Sequence, residues 1–183
     1  MDLSTLTSPL DAARTQESAR FTVGGSTPRL AVRPGSREEV AELVRWCGAL
    51  RLALLPWGGG IALSRATAPQ RYDVALDLTG LSQLVEYEPD DFTVTAECGV
   101  RVQDLAARLT AHGQELPLEA AEHWGATLGG VLAARARDHA IAGHELCAQH
   151  PVARRSETPA PRDRVLGAQF VTGDGVIART GGR

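Results

Sequence analysis

Apolar and polar positions follow two rhythms along the first half of the chain. Within SREEVAELVRWCGALR, the apolar residues Val40, Leu43, Val44 and Cys47 recur at three- and four-residue intervals, the spacing of one helical face. Ser36, with Glu39 three residues on, forms a capping box at its start. On either side the period shortens to that of strands. RLAVRP, Arg29 to Pro34, alternates and stops at a proline, which a central ladder does not tolerate. LALLPW reads as a short buried strand, and YDVALDLTG as another that ends at Gly80. The pattern predicts a β-α-β-loop-β unit.

In the second half, LVEYEP and FTVTAEC alternate in polarity on either side of Asp90 and Asp91, which predicts a hairpin. RVQDLAARLTAHG sets Val102, Leu105, Ala106 and Leu109 on one helical face and places Gly113 just past the last turn. The small-residue run GATLGGVLAA predicts a short, tightly packed helix. VLGAQFVTGDGVIART predicts a last hairpin with Gly173, Asp174 and Gly175 at its tip. Residues 135–163 carry no period and contain the turn-rich RRSETPAPRDR, which predicts a long surface loop or insertion. The expected organisation is a polar leader over 1–21 and one α+β domain over 22–183. Its first lobe spans about 22–80, its second about 81–183, and the two share a cleft.

Composition removes several function classes. The chain has 183 residues, 43% of them hydrophobic, enough for one ordinary domain or two small lobes. A net charge of −3 and an aromatic content of 4% leave neither the basic footprint nor the stacking side chains of a nucleic-acid binder. No stretch is long and apolar enough to span a membrane, and the first residues lack a basic start and an apolar h-region, so the expectation is a soluble, cytoplasmic protein. Cys47, Cys98 and Cys147 are too widely spaced for a C-x-x-C site and read as buried free thiols. There is no Lys and no Asn. Schiff-base chemistry, a P-loop lysine and N-glycosylation are thereby excluded.

The strongest chemical signal is LLPWGGGIALS, residues 54–64, where three glycines follow a strand. A Rossmann site fails on spacing: there is no G-x-G-x-x-G, and IALSRATAPQRY is too short and proline-interrupted to be the crossover helix. Asp77 imitates the ribose-binding acid but reads as a strand-end or turn residue. What remains is an anion-binding concavity, in which glycines of mixed-sign φ turn successive N–H groups toward one point. The plain alternative is an irregular turn that tolerates glycine.

The succession VRPGSREEVAELV, LPWGGGIALS, VALDLTGLSQLVEYEPDDFTVTAECGVRVQDL, LPLEAAEHWGATLGGVLA and RDRVLGAQFVTGDGVIARTGGR resembles the FAD-binding domain of the p-cresol methylhydroxylase and vanillyl-alcohol oxidase type. Within that family the likeness is to the FAD-binding small subunit of glycolate oxidases. The resemblance covers about residues 22–183. It implies a two-lobed domain with FAD held non-covalently between the lobes, since the loop offers neither His nor Cys for a flavin bond. Pro56, Trp57, Gly58, Gly59, Gly60, Ile61, Ala62, Leu63 and Ser64 would hold the pyrophosphate through main-chain N–H groups. Glu119, Gly125, Ala126, Thr127, Gly129 and Gly130 would line the second wall near the ribityl chain and flavin, and Val176 and Ile177 would lie by the adenine.

The likeness also implies a 2-hydroxy acid substrate and a substrate domain supplied by a continuation or by a partner oxidase subunit. Catalytic residues are not assignable from this chain. Departures from the family pattern are Ile61, where Thr or Ser is usual, Arg65 at a glycine position, Val131 after LGG, and the stretch from Arg135 to Pro161. Three or four charge-assisted hydrogen bonds from one loop contribute roughly 5–12 kcal/mol gross, against an association cost of about 4–15 kcal/mol. A second wall is therefore required.

Two other constellations point elsewhere. His139, His144, Cys147 and His150 make a metal-like set whose spacing fits no standard zinc pattern and suits a polar surface loop. His123 and Trp124 precede the second glycine segment, within reach of a flavin or as a turn residue beside a packing Trp. The expected functions are an FAD-linked oxidoreductase component, a non-catalytic module acting through a partner, or a small metal-binding protein.

Overall fold

The computed structural model describes residues 6–63, 67–116, 125–133 and 161–181. A four-stranded sheet organises the first part, with strands β1 (Thr15–Gln16), β2 (Leu30–Val32), β3 (Leu54–Trp57) and β4 (Val74–Asp77) in the order β1-β2-β4-β3. β2, β4 and β3 run parallel, and β1 pairs antiparallel with β2. Helix α1 (Arg37–Ala49) links β2 to β3 and covers one face of the sheet. There Val40, Leu43 and Cys47 meet Leu30, Val32, Val74 and Leu76. The alternate residues Ala31 and Ala75 face the other way, onto Phe21, Val23 and Tyr72.

Covering both faces buries β2 and β4 throughout, which is why a central parallel strand reads apolar at every position. β3 departs from its expected burial. It is an edge strand, only half-buried, and Pro56 is exposed on it. A residue without an N–H fits such an edge, where no neighbour needs the donor.

The segment expected as a polar leader is folded onto this unit. It supplies β1, its Leu6 and Leu10 pack on the α1 core, and Arg14 pairs with Glu39 at 3.1 Å. The capping box forms in a shifted version: Ser36 Oγ accepts from the Glu39 N–H at 3.1 Å, while the Glu39 carboxylate accepts from Gly35 rather than from Ser36, at 2.6 Å. One orphan donor of α1, the Glu39 N–H, and the Gly35 N–H just ahead of the cap are thereby satisfied.

In the second part, β5 (Leu84–Glu88) and β6 (Thr93–Ala96) form the predicted antiparallel hairpin, turning through Pro89–Asp91. Helix α2 (Val102–Thr110) lays Leu105 and Leu109 on Leu84, Tyr87 and Val94 of that hairpin. Val102 packs instead with Ala126 and Val131 of the segment that becomes α3 (Leu128–Ala133). The final hairpin, β7 (Gly167–Val171) and β8 (Ile177–Gly181), docks on α1, with Arg45 donating to the Gly175 carbonyl at 2.7 Å. The architecture is mixed α+β. Of the expected 135–163 loop, 135–160 lies outside the described residues, and Pro161–Arg164 forms a 3-10 turn.

Candidate cofactor crevice

The glycine loop leaves the C-terminal end of β3, the side of a parallel sheet at which ligands collect. Its glycines are explained by what lies against them. A Cβ on Gly59 would stand 1.8 Å from the carbonyl oxygen of Gly125, and one on Gly58 would stand 2.2 Å from Thr127 Oγ1. The two glycine segments, more than sixty residues apart in sequence, therefore touch backbone to backbone. Gly60 (φ +76°) and Gly125 (φ +93°) also occupy left-handed backbone that other residues rarely adopt. Ile61, the departure from the family pattern, packs beside Ala126, Val131 and Val102. An apolar side chain there joins the loop to α3.

The second segment is pinned from the stretch between β6 and α2 and from the first residue of α2. Arg101 bridges Thr127, the Val102 N–H donates to the Ala126 carbonyl at 2.9 Å, and the Leu128 N–H to the Val100 carbonyl at 2.9 Å. Gly129 donates to the Cys98 carbonyl at 2.8 Å, and a Cβ on it would stand 2.7 Å from Cys98 Cβ. Packing on Cys98 thus dictates glycine at 129. Gly130 faces Thr127 Oγ1, to which its N–H donates at 3.3 Å.

The charge where the two segments meet suits an anion. Neither 56–63 nor 125–133 contains an acidic residue. Arg101 Nη1 comes within 3.9 Å of the point a Cβ on Gly125 would occupy. The buried carboxylates at the two ends of β4, Asp77 beside Trp57 and Asp73 at the end away from the loop, are already answered. Asp77 accepts from Arg33 at 2.6 Å and from the Thr79 N–H at 3.0 Å, and Asp73 from Arg71 at 2.7 Å and the Ala53 N–H at 2.8 Å. Asp77 is a turn residue, in keeping with the sequence reading. A separate open hollow of about 360 Å³ lies between Thr79 and α2, lined by Arg33, Arg101, Asp104 and Arg108 and by none of the glycine-loop residues.

Trp57 fixes the entry to the loop. Its Nε1 donates to the Tyr72 hydroxyl at 2.6 Å, and that hydroxyl donates to the Phe21 carbonyl at 3.0 Å. The Phe21 and Trp57 rings meet edge to face at 5.2 Å, and the indole lies under Gly60, 3.0 Å from where a Cβ would sit. Burial raises the Tyr72 pKa above its ordinary value, so the phenol keeps the proton it donates.

Of the residues singled out in the sequence, the structure brings Gly58, Gly59 and Ile61 together with Gly125, Ala126, Thr127 and Val131, while Gly60 lies on Trp57. Val176 and Ile177 sit on the hairpin held by α1, with Gly175 against the Ala41 carbonyl and the Arg45 side chain. Ser64, Arg65, Glu119, His123, Trp124, His139, His144, Cys147 and His150 fall outside the described residues. Among the described residues no group of three or more His, Cys, Asp or Glu is placed to hold a metal. Burial raises the Cys47 thiol to about 11 and shifts the Cys98 thiol in the same direction. Sequence reasoning missed Phe21, Tyr72 and Arg101. The only usable signal for the first two was the scarcity of aromatics in the chain.

Comparison with known proteins gives a consistent picture. Residues 28–145 match a family model described as FAD binding domain. The chain is 29% identical over 103 residues to a D-2-hydroxyglutarate dehydrogenase of Xanthomonas citri pv. viticola, covering 56% of this chain and 22% of that protein. It is 28% identical over 156 residues to a probable mitochondrial D-lactate dehydrogenase of Danio rerio, covering 85% and 28%. To the glycolate oxidase subunit GlcD of Bacillus subtilis it is 23% identical over 158 residues, covering 86% and 31%. The chain thus spans less than a third of the length of these curated relatives. A solved alkyldihydroxyacetonephosphate synthase superposes with a TM-score of 0.60 at 23% identity, over 69% of this chain and 30% of that one, a likeness of fold. Among the described residues no helix is long and apolar enough to cross a membrane.

Proposed function

The chain belongs to the FAD-binding domain family, and from that premise we propose that it carries FAD non-covalently in the crevice between its two glycine segments, as the flavin-bearing part of an oxidoreductase acting on 2-hydroxy acids. The observation that carries this reading is the backbone contact of Gly59 with Gly125. Two segments without bulky side chains meet there, with left-handed backbone at Gly60 and Gly125, and glycine backbone of this kind can turn main-chain N–H groups toward a diphosphate. The loop from Pro56 to Ser64 would hold the pyrophosphate, with the Arg101 guanidinium adding charge. Gly125, Ala126, Thr127, Gly129 and Gly130, with Glu119, would form the wall toward the ribityl chain and flavin. Val176 and Ile177 would approach the adenine across α1. Such a division sets the β1–β4 unit and the part beginning at β5 as two lobes around the nucleotide.

When bound, the flavin supplies a hydride acceptor. The chain's own residues bind, orient and exclude water. Substrate-contacting groups would come from beyond the matched portion, on a continuation or a partner oxidase subunit, as the share of each relative that is matched supports. A second reading, a non-catalytic FAD module working through that partner, draws on the same share. The test is direct. Purified protein given FAD stays yellow after the unbound cofactor is removed by gel filtration, and anaerobic glycolate, D-lactate or D-2-hydroxyglutarate bleaches it if the chain is catalytic. A yellow protein that none of them bleaches supports the module, and a protein that takes up no FAD overturns both.

A further inference from the structure

We propose that the segment Phe21 to Gly25, which precedes the family-matched region beginning at residue 28, is a clamp that sets the glycine loop in its binding shape. This rests on the reading that the loop holds the FAD diphosphate. The clamp grips both ends of the loop. At the start, the Phe21 ring stacks edge to face on Trp57 at 5.2 Å, and the Phe21 carbonyl accepts from Tyr72, whose hydroxyl in turn accepts from Trp57 Nε1 at 2.6 Å. At the far end, Leu63 packs on the cluster of Phe21, Val23 and Tyr72, and past the loop Gly24 (φ +55°) lies so close to Ala68 that a Cβ on it would be 2.6 Å from Ala68 Cβ.

The segment is itself a closed turn, rigid enough for that task. Val23 and Ser26 exchange two backbone hydrogen bonds of 2.9 Å each, and the Thr22 and Thr27 hydroxyls meet at 2.9 Å. The physical need is clear. Three consecutive glycines give a loop wide conformational freedom, and β3 is an edge strand with a neighbour on one side only. An anion site made of N–H groups binds well only when those groups are already aimed. The indole lying under Gly60 transmits the position of Phe21 and Tyr72 to the loop. Phe21, Tyr72 and Trp57 are positioning residues in this scheme.

The experiment compares the full chain with Tyr72→Phe, which deletes only the bridging hydroxyl, and with Trp57→Phe, which keeps a ring but removes the donor. Amide hydrogen exchange is followed across residues 58–63 and across α1, and FAD affinity is measured by quenching of flavin fluorescence. The expected result is faster exchange in the loop with α1 unchanged, and FAD binding weakened about three- to tenfold, the range a lost intramolecular hydrogen bond gives. Loop exchange equal to wild type in both variants overturns the clamp. Faster loop exchange with undiminished FAD affinity also overturns it, because the clamp would then not serve the cofactor. Should the wild-type chain take up no FAD, the cofactor reading fails by itself, and the loop exchange alone decides whether Phe21 to Gly25 holds the loop.

Discussion

Each glycine of the crevice has a different reason for lacking a side chain, and the reasons separate on substitution. Gly59 faces a carbonyl oxygen of the other segment, so Gly59→Ala must push the segments apart. The expected outcome is a folded protein, with unchanged far-UV circular dichroism, that loses FAD retention at least tenfold. Gly129 faces Cys98 inside the second part. Gly129→Val should lose FAD as well, but through overpacking that costs about 1–3 kcal/mol of stability, visible as a lower denaturation midpoint. The thiols behave in a third way. Burial holds Cys47 protonated, its pKa raised from 9.0 to about 11, with Asp73 adding to the effect. At pH 8 only about one such thiol in a thousand is ionised, so native Cys47 should resist alkylation until the protein unfolds. The sign for stability follows: the folded chain keeps a proton that the unfolded chain gives up above 9.0, so stability is full below that pH and falls as pH rises toward about 11. A Cys47→Val variant should lack that part of the alkaline loss.

Among the elements, α1 carries the most. It closes the sheet, receives the β7–β8 hairpin and is started by Ser36 and Glu39. Ser36→Ala leaves the Glu39 N–H without its acceptor, and the expected cost is about 1 kcal/mol, measured as a shift of the urea midpoint at constant slope. Replacing Glu39 removes more at once, since its carboxylate also accepts from Gly35 and pairs with Arg14 of the N-terminal segment. The hairpin of β5 and β6 shows a local conflict of a different kind. Phe92 closes its turn at φ +55° while 80% exposed, a backbone conformation that suits Gly or Asn better than an aromatic residue. The sequence placed the turn at Asp90 and Asp91 and gave no sign that the residue after them would carry the left-handed backbone.

For the molecule as a whole, the proposed cofactor would bridge two parts that meet at the glycine segments. A ligand that bridges them stabilises the native state by about 2.7 kcal/mol at a hundredfold excess over its dissociation constant. FAD should therefore raise the thermal midpoint by several degrees, and riboflavin, which lacks the diphosphate, should raise it far less. Differential scanning calorimetry with each ligand reads the difference, and equal shifts would place the binding energy in the isoalloxazine rather than in the glycine crevice. The N-terminal segment belongs to this scale too. Composition made it a polar leader, yet it contributes an edge strand, two core leucines and the Phe21 contact to the loop.

Periodicity located α1, α2 and the β5–β6 hairpin, each of which packs an apolar face, while a run of small residues marked α3 and the Gly-Asp-Gly tip marked the exposed β7–β8 hairpin. The order of the glycine motifs was likewise enough for the family. Which face of the sheet each strand residue meets, and that β3 lies at the edge, depended on pairing between distant segments, which local pattern does not encode. The meeting of Gly58 and Gly59 with Thr127 and Gly125, the hydrogen-bonded chain from Trp57 through Tyr72 to Phe21, and the approach of Arg101 to the crevice were decided in the same way. Glycine in a sequence announces close approach without naming the partner, and only the folded backbone supplies it.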